Sequence, residues 1–240
     1  MQGKECDRFE LKSASQFEIG SDSEDPRNMK NYDVPFYSNT EDDTHCFQAA
    51  LKMVLKFFLP GREFTWEELD TITAKVEGLW TWQMAGLIWL SQNGFEVKDI
   101  EVFDYEQFVK RGGDYLIELV GKEVGESQIK HSDIDQERRY AQTFVEVIKP
   151  EVRLPTIQEI PELLESGYIL VCNVNSRALN KKEGYVGHFI VVTGYDGGSL
   201  TVHDPGLPGI ENRKVDFNTF EQAWAYPNEN AKNVLAFKLK

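Results

Sequence analysis

The sequence predicts one α+β domain, with helices in the first half of the chain and an antiparallel sheet in the second. The first observation is that apolar residues recur at helical spacing from 44 to 59, until a Pro-Gly pair ends the run. The second is the segment 187–205, in which an Asp-Gly-Gly turn joins two apolar runs, as is typical of a β-hairpin. With 240 residues and 41% hydrophobic content, the chain can bury one large core.

Cap and break signals divide the first half of the chain. Residues 1–30 are polar and predict an N-terminal arm ahead of a domain at 31–240, although the stretch FELKSASQFEI within the arm could pair as a strand. Thr65 and Glu68 form a capping-box pattern before an apolar helix. Thr81 is predicted to open the next apolar helix, and the segment FEVKDIEVF after that helix predicts a strand.

The middle and the end of the chain follow the same logic. Residues 104–150 are highly charged, and their apolar residues lie at helical spacing around breaks that contain glycine, so we expect a helical insertion. Thr156 and Glu159 form another capping-box pattern before a short helix, and the run YILVCNVNS then predicts a strand. The C-terminal run VLAFKLK is expected to close the sheet.

Charge and cysteine content narrow the classes of function. The formal net charge of -14 argues against nonspecific binding to nucleic acid or anionic lipid, because Lys and Arg hold such partners by neutralising phosphates. The three cysteines, Cys6, Cys46 and Cys172, are too few and too scattered for a disulfide framework or a zinc site. No stretch of the sequence approaches the ~18 apolar residues of a membrane span. We therefore expect a soluble, cytoplasmic protein whose partner is neither nucleic acid nor membrane.

Cys46 lies where the first long helix is predicted to begin. A thiol attacks as the thiolate, and the unpaired N–H groups and dipole of a helix N-terminus lower its pKa. His188 and Asp204 lie at the start of the first strand and the end of the second strand of the predicted hairpin, and antiparallel pairing brings these ends together. A neighbouring histidine can form an ion pair with the thiolate, and a carboxylate can orient the imidazole. The sequence therefore predicts a nucleophilic site made of these three residues, with Cys172 as an inert, buried strand residue.

A purely structural interpretation exists for each of the three residues. Cys46 could be a small apolar residue that opens a core helix, and His188 could be a histidine satisfied within the core. Asp204 precedes Pro205 and could simply begin a turn. The order and spacing of all three favour the nucleophilic site.

The same residues resemble a known family. The segment DVPFYSN, the helix-opening Cys46 and the run GHFIVVTGYDGGSLTVHDPG are similar to papain-like cysteine peptidases of the bacteriocin-processing, or double-glycine, family. The resemblance covers residues 33–58 and 156–226, including FNTFEQAW after the hairpin. It implies a papain-like fold, in which a helical part with the nucleophile helix packs on an antiparallel sheet, and it implies no metal or organic cofactor.

The resemblance also implies roles for individual residues. It makes Cys46 the nucleophile, His188 the general base and Asp204 the residue that orients the imidazole. Asn39 stands where the family has a glutamine that donates to the oxyanion. The implied function is a cysteine-dependent hydrolase of peptide or other amide bonds, with a peptide, a protein or a small amide as substrate.

Two positions depart from the family pattern. Phe47 follows Cys46 where the family has Gly or a similarly small residue, and Asn39 is one methylene shorter than glutamine. These differences motivate one alternative, a catalytically inactive module that holds a peptide or protein in the cleft. The other alternative is a thiol acyltransferase or deamidase on the same fold.

The sequence contains only weak signals for the residues that line the substrate cleft. Trp80 and Trp82 belong to the stretch GLWTW, which in the resembling family lies in a loop near the cleft, so they are predicted to form a wall for an extended substrate. Core packing is the alternative interpretation for both side chains. We expect the segment 104–150 to lie beside the cleft, where it would control substrate access.

Overall fold

The structure of the protein is a computed structural model, and it describes residues 29–240. Most of the predicted arm 1–30, including its FELKSASQFEI stretch and Cys6, lies outside the described residues. Within the described residues, no helix is both long enough and apolar enough to cross a membrane.

The first three helices are α1 (Cys46–Phe58), α2 (Trp66–Ile72) and α3 (Met84–Gln92). The predicted capping box before α2 is present, because the Glu68 N–H donates to Thr65 Oγ1 at 3.1 Å. The prediction that α3 opens at Thr81 is wrong by three residues. Thr81 is buried before the helix, where its hydroxyl accepts a hydrogen bond from Gln48 Nε2 at 2.9 Å.

Seven further α-helices follow in the described part of the chain: α4 (Tyr105–Arg111), α5 (Gly113–Val120), α6 (Lys122–His131), α7 (Ile134–Val147), α8 (Glu159–Glu165), α9 (Ser176–Leu179) and α10 (Phe217–Trp224). The first four occupy the segment whose apolar spacing is helical. Gly112 and Gly121 separate them with φ of 55° and 81°, conformations that glycine adopts at little cost. The description of this segment as an insertion, and the domain bounds, remain predictions.

The described residues contain one sheet of eight strands: β1 (Met29–Asn31), β2 (Phe95–Glu101), β3 (Glu151–Val152), β4 (Ile169–Asn175), β5 (Gly187–Asp196), β6 (Ser199–Asp204), β7 (Ile210–Asp216) and β8 (Asn233–Leu239). Their order is β3-β2-β8-β4-β5-β6-β7, and β1 pairs with β5. All pairs are antiparallel except β2 with β3. The C-terminal strand β8 therefore belongs to the sheet, as an interior strand between β2 and β4.

Apolar residues on both faces of the sheet are buried, because helices cover each face. Val191 of β5 belongs to the core that includes the buried face of α1, whereas Val192 belongs to the core that includes α8 and α10. Successive strand residues point to opposite faces, so one apolar run serves both cores. The predicted α+β fold, with the α1 helix packed on an antiparallel sheet, is confirmed.

We expect Gly194→Ala to lower the free energy of unfolding by about 1–3 kcal/mol, because the new methyl group has no room. A Cβ at Gly194 would collide with the Lys30 carbonyl oxygen and the Asn31 side chain where β1 pairs with β5. Gly61→Ala is the control, since a Cβ there meets no atom of the described chain within 4 Å. Chemical denaturation compares the two variants, and equal stabilities would contradict the close approach of β1.

Candidate active site

The hairpin of β5 and β6 brings His188 and Asp204 together. His188 is the second residue of β5 and Asp204 is the last residue of β6, so antiparallel pairing places them at the same end. His188 Nε2 lies 2.7 Å from Asp204 Oδ1, and the two residues are only 6% and 5% exposed. A hydrogen bond between two buried groups holds the ring in one orientation.

Cys46 is the first residue of α1, which packs on β5. Its half-buried thiol lies close enough to the His188 ring and the Phe189 backbone N–H for both groups to lower its pKa. Because Asp204 occupies Nε2, the nitrogen left to face the thiol is Nδ1. The N-cap residue His45 makes no side-chain cap hydrogen bond, so the first N–H groups of α1 and its dipole also favour negative charge on the sulfur.

These contacts shift the pKa values of Cys46 and His188 in opposite directions. Burial acts to raise the pKa of the Cys46 thiol, but the hydrogen bond and charge of His188 and the Phe189 N–H outweigh it, and the pKa lies below its ordinary value. Burial acts to lower the pKa of His188, but hydrogen bonds with Asp204 and Cys46 raise it to about 10. The two shifts, a lowered thiol pKa and a raised imidazole pKa, together favour a thiolate–imidazolium pair.

Asp204 is held by more than His188. Its Oδ1 also accepts from the Gly206 N–H at 3.0 Å, and its Oδ2 accepts from Arg213 Nη1 at 2.8 Å. Burial acts to raise the pKa of Asp204, but these donors and the charge of His188 lower it to about 2. The sequence reasoning missed Arg213, and the signal that could have found it is the strand β7, which follows the hairpin and pairs with β6.

The carboxylates just before Cys46 are largely occupied by other partners. Asp42 accepts from the hydroxyls of Thr40 and Thr44 at 2.5 and 2.6 Å, and these bonds hold the pKa of Asp42 well below its usual range. Asp43 lines the cleft, and its charge acts against the thiolate less strongly than His188 acts for it. Glu41 is exposed to solvent. The three acidic residues therefore leave the Cys46 pKa lowered.

Asn39 supports the loop before α1. Its Oδ1 accepts from the N–H groups of Thr40 and His45 at 2.9 and 2.7 Å, and its Nδ2 donates to Asp43 Oδ1 at 2.8 Å. Asn39 is 7% exposed and is not among the residues that line the cleft. The short side chain is thus turned into its own loop, and the structure does not bring Asn39 to the cleft surface beside Cys46.

Phe47 is accommodated in the core behind the thiol. Its ring lies 4.8 Å from that of Phe189, and the residue is 1% exposed. Room for the ring comes from Gly86 of α3, where an added Cβ would lie 3.0 Å from the Phe47 ring. The large residue after Cys46 therefore leaves the thiol open to the cleft.

A cleft of about 720 Å³ connects the predicted site residues, and its lining includes Cys46, His188, Asp204, Trp80 and Trp82. This volume lies within the range of small-molecule and peptide sites.

Both tryptophans are half-buried and fixed by stacking. Trp80 stacks on His131 at 4.7 Å between ring centres. Trp82 stacks on Phe108 at 5.3 Å, and its Nε1 donates to Ser132 at 2.9 Å. Apolar residues of α5 and α6 also line the cleft, so the segment 104–150 lies beside it.

Two carboxyl groups lie close together on β2: Glu101 lines the cleft, and Asp99 is buried. The Tyr105 hydroxyl lies 2.7 Å from Asp99 Oδ2 and 2.5 Å from Glu101 Oε1. One hydroxyl donates only one hydrogen bond, so one carboxyl must be protonated and donate in return. Burial accordingly raises the pKa of Asp99 well above its usual value and that of Glu101 to about 7. The sequence reasoning missed this pair. The signal that could have found it is the spacing of Asp99 and Glu101, because residues two apart on a strand point to the same face.

His203 and His45 have hydrogen-bond or ion-pair partners outside the predicted site, and Cys172 is a buried strand residue. His203 Nε2 lies 2.7 Å from the Val34 carbonyl oxygen, and the Asn212 N–H donates to its Nδ1 at 3.1 Å. His45 contacts the carboxylates of Asp42 and Asp70. Cys172 of β4 is fully buried, and burial raises the pKa of its thiol. Within residues 29–240, no group of three or more His, Cys, Asp or Glu side chains could hold a metal ion.

The sequence model of the Peptidase_C39 like family matches residues 31–232. No curated protein is significantly similar to the chain in sequence.

Three solved structures are similar to the chain. A double glycine motif protease from an AMS/PCAT transporter, in complex with the leader peptide, is 15% identical, and the alignment covers 88% of this chain and 94% of that one with a TM-score of 0.46. The peptidase domain of Streptococcus ComA, a bifunctional ABC transporter of a quorum-sensing pathway, is 13% identical, with coverage of 86% and 98% and a TM-score of 0.46. A protein described as a C39-like peptidase from Bacillus anthracis is 15% identical, with coverage of 87% and 96% and a TM-score of 0.49.

Proposed function

The chain belongs to the Peptidase_C39 like family, and from this premise we propose that it is a cysteine-dependent hydrolase of peptide bonds. The observation that carries the proposal is that Cys46 and His188 line one cleft, where His188 lowers the pKa of the thiol and its Nε2 is bonded to Asp204. The lowered pKa of the thiol and the raised pKa of the imidazole support a reactive thiolate paired with the imidazolium. The cleft that surrounds these residues supports a peptide as substrate.

In the proposed reaction, the Cys46 thiolate attacks the carbonyl carbon of the scissile amide and forms a tetrahedral intermediate. The imidazolium of His188 gives its proton to the leaving amine, the C–N bond breaks, and an acyl-thioester remains on Cys46. Neutral His188 then takes a proton from water, which attacks the thioester and releases the carboxylic acid. Asp204 keeps the imidazole ring in place through both steps.

The oxyanion of the tetrahedral intermediate needs donors beside Cys46. We assign one to the backbone N–H of Cys46, because it lies at the N-terminus of α1, where N–H groups have no partner within the helix. Asn39 is proposed as the second donor. Among the described residues its Nδ2 donates only to Asp43, so the second amide hydrogen is available to the oxyanion.

Trp80 and Trp82 are proposed as the wall against which an extended peptide lies. Their faces are fixed by stacking on His131 and Phe108, so they need not be ordered when substrate binds.

The cytoplasmic location expected from the sequence is part of the same proposal, because a nucleophilic thiol must stay reduced.

The two alternatives differ from hydrolysis in separate ways. Acyl transfer or deamidation would use the same thioester and differ only in the acceptor or in the amide attacked. A binding module without activity was motivated by Phe47 and Asn39. The burial of Phe47 in the core, away from the thiol, weakens that motivation.

Exposure to a peptidyl epoxide, followed by intact-mass analysis and peptide mapping, tests the proposal. We expect one adduct, on Cys46, and cleavage of members of a peptide library by the unmodified protein. Adduct formation without cleavage of any peptide would favour the binding module. Products joined to an added amine instead of water would favour the acyltransferase.

A further inference from the structure

Arg213 is placed to act on the proposed site through Asp204. It lies on β7, in register with Val202 of β6, and its side chain reaches Asp204, the last residue of β6. Nη1 donates to Asp204 Oδ2 at 2.8 Å, and Nη2 donates to the Leu179 carbonyl oxygen at 2.9 Å. The guanidinium is thus anchored on both the carboxylate and the end of α9.

The two carboxylate oxygens of Asp204 bind different side chains, His188 and Arg213. Oδ1 faces His188 and Oδ2 faces Arg213, and the side chains of Asp204, His188 and Arg213 are 7%, 8% and 17% exposed. Arginine stays charged at all pH values at which proteins fold, so this sharing is permanent. With little water between them, a change of charge at Arg213 is felt at the imidazole.

We propose that Arg213 is a positioning residue for this site. It fixes Asp204 through Oδ2 and shares the carboxylate charge, so that the imidazolium of His188 can release its proton to the leaving amine. The inference rests on the proposed function for its catalytic consequence, but its effect on His188 exists in the resting protein. An unshared carboxylate would bind the imidazolium proton more tightly and make His188 a weaker acid.

Other charged and titratable groups also lie near the thiol and the imidazole. Asp204 contacts His188 from β6, and Cys46 contacts it from α1. Asp43 acts on the Cys46 thiol from the loop before α1, and the Lys75 and Tyr185 side chains lie within electrostatic range of the same sulfur. All of these groups are unchanged in a comparison of Arg213 variants, so a shift in the His188 titration reports on Arg213.

The test is the titration of the His188 ring nitrogens by ¹H–¹⁵N NMR in protein that carries Cys46→Ala, which removes the thiolate and any turnover. We expect Arg213→Gln and Arg213→Met to raise the His188 midpoint by on the order of 1 pH unit, because each removes a unit positive charge from the carboxylate to which the ring is bonded. Arg213→Lys keeps the charge and should leave the midpoint near its original value. Arg153→Gln is the control, since Arg153 pairs with Glu151 and Glu159 at the opposite edge of the sheet.

In protein with Cys46 intact, Arg213→Gln should lower kcat about tenfold with little change in KM, and Arg213→Lys should restore most of the loss. A His188 midpoint that is the same in the Gln, Met and Lys variants would overturn the proposal. Unfolding of both neutral variants would also overturn it, because Arg213 would then stabilise the fold and not the site. Absence of hydrolysis in the parent protein with the expected midpoint shift would overturn only the proposed function.

Discussion

Cys46→Ala is expected to abolish peptide hydrolysis, with a loss on the order of 10⁴-fold or more, while the protein stays folded. The loss is this large because the nucleophile and its general acid act as a unit, and the unit fails when the nucleophile is removed. Stability should change by less than about 1 kcal/mol, since Cys46 is half-buried and alanine is the best helix former. Hydrolysis of a cleavable peptide and thermal unfolding are measured on the same preparation.

Cys172→Ala is the matched control for this substitution. Cys172 is fully buried on β4, so alanine leaves a small cavity that should lower stability by about 1 kcal/mol. Hydrolysis per folded molecule should stay at the parent level. Substantial hydrolysis by Cys46→Ala, or its loss in Cys172→Ala, would contradict the assignment of the nucleophile.

His188→Gln should lower hydrolysis by about 10³–10⁴-fold and also remove the thiolate at pH 6. In the parent protein, the lowered thiol pKa sets the acid end of the ion-pair range, and the His188 pKa of about 10 sets its alkaline end. Without the imidazolium, burial remains as the largest influence on the thiol, and its pKa rises. Thiolate absorbance near 240 nm, followed from pH 4 to pH 10, measures this change.

His203→Gln is the matched histidine control, because His203 is also buried and lies on the same hairpin. Its ring bonds to the backbone of Val34 and Asn212, so the substitution should cost stability and leave the thiolate absorbance at pH 6 unchanged. If both substitutions changed the thiolate equally, the absorbance would report damage to the fold and not the loss of an ion-pair partner.

The parts of the site that could be predicted from sequence rest on local signals. The Asp-Gly-Gly turn sets the pairing of β5 with β6, and this pairing alone brings His188 to Asp204. The apolar spacing of α1 places Cys46 at a helix N-terminus, and the apolar face of α1 packs on β5 and β8 of the sheet. Periodicity and turn chemistry therefore predict that Cys46 opens a helix and that His188 lies beside Asp204.

The parts that could not be predicted depend on contacts between distant segments. Arg213 reaches Asp204 only because β7 pairs with β6 as a third strand. No turn signal in the sequence predicts the register of β7 against β6. Asn39 is predicted as an oxyanion donor, and the sequence does not show that its Oδ1 accepts from the N–H groups of Thr40 and His45 within its own loop. Such side-chain-to-backbone bonds compete with the expected role and depend on the loop conformation.

The opening of α3 was misplaced for a related reason. Thr81 has the residue type of an N-cap, but its hydroxyl bonds to Gln48 of α1, and the helix begins at Met84. Gln48 is fully buried and its Nε2 bonds to the hydroxyls of Thr73 and Thr81. The buried amide of Gln48 needs hydrogen-bond partners, and it donates to the Thr81 hydroxyl that the local pattern had predicted as a helix cap.

The alkylation rate of Cys46 in the folded protein at pH 6 tests the central claim, that this thiol is a thiolate held by His188, most directly. Iodoacetamide modification is followed by peptide mass mapping, with N-acetylcysteine amide as an ordinary thiol in the same solution. We expect Cys46 to react at least about 30-fold faster than the ordinary thiol, of which less than about 1% is thiolate at this pH. Cys172 should stay unmodified, and His188→Gln should bring Cys46 to the rate of the ordinary thiol or below. A parent Cys46 that reacts no faster than N-acetylcysteine amide at pH 6 would contradict the claim and make Cys46 a structural residue at the start of α1.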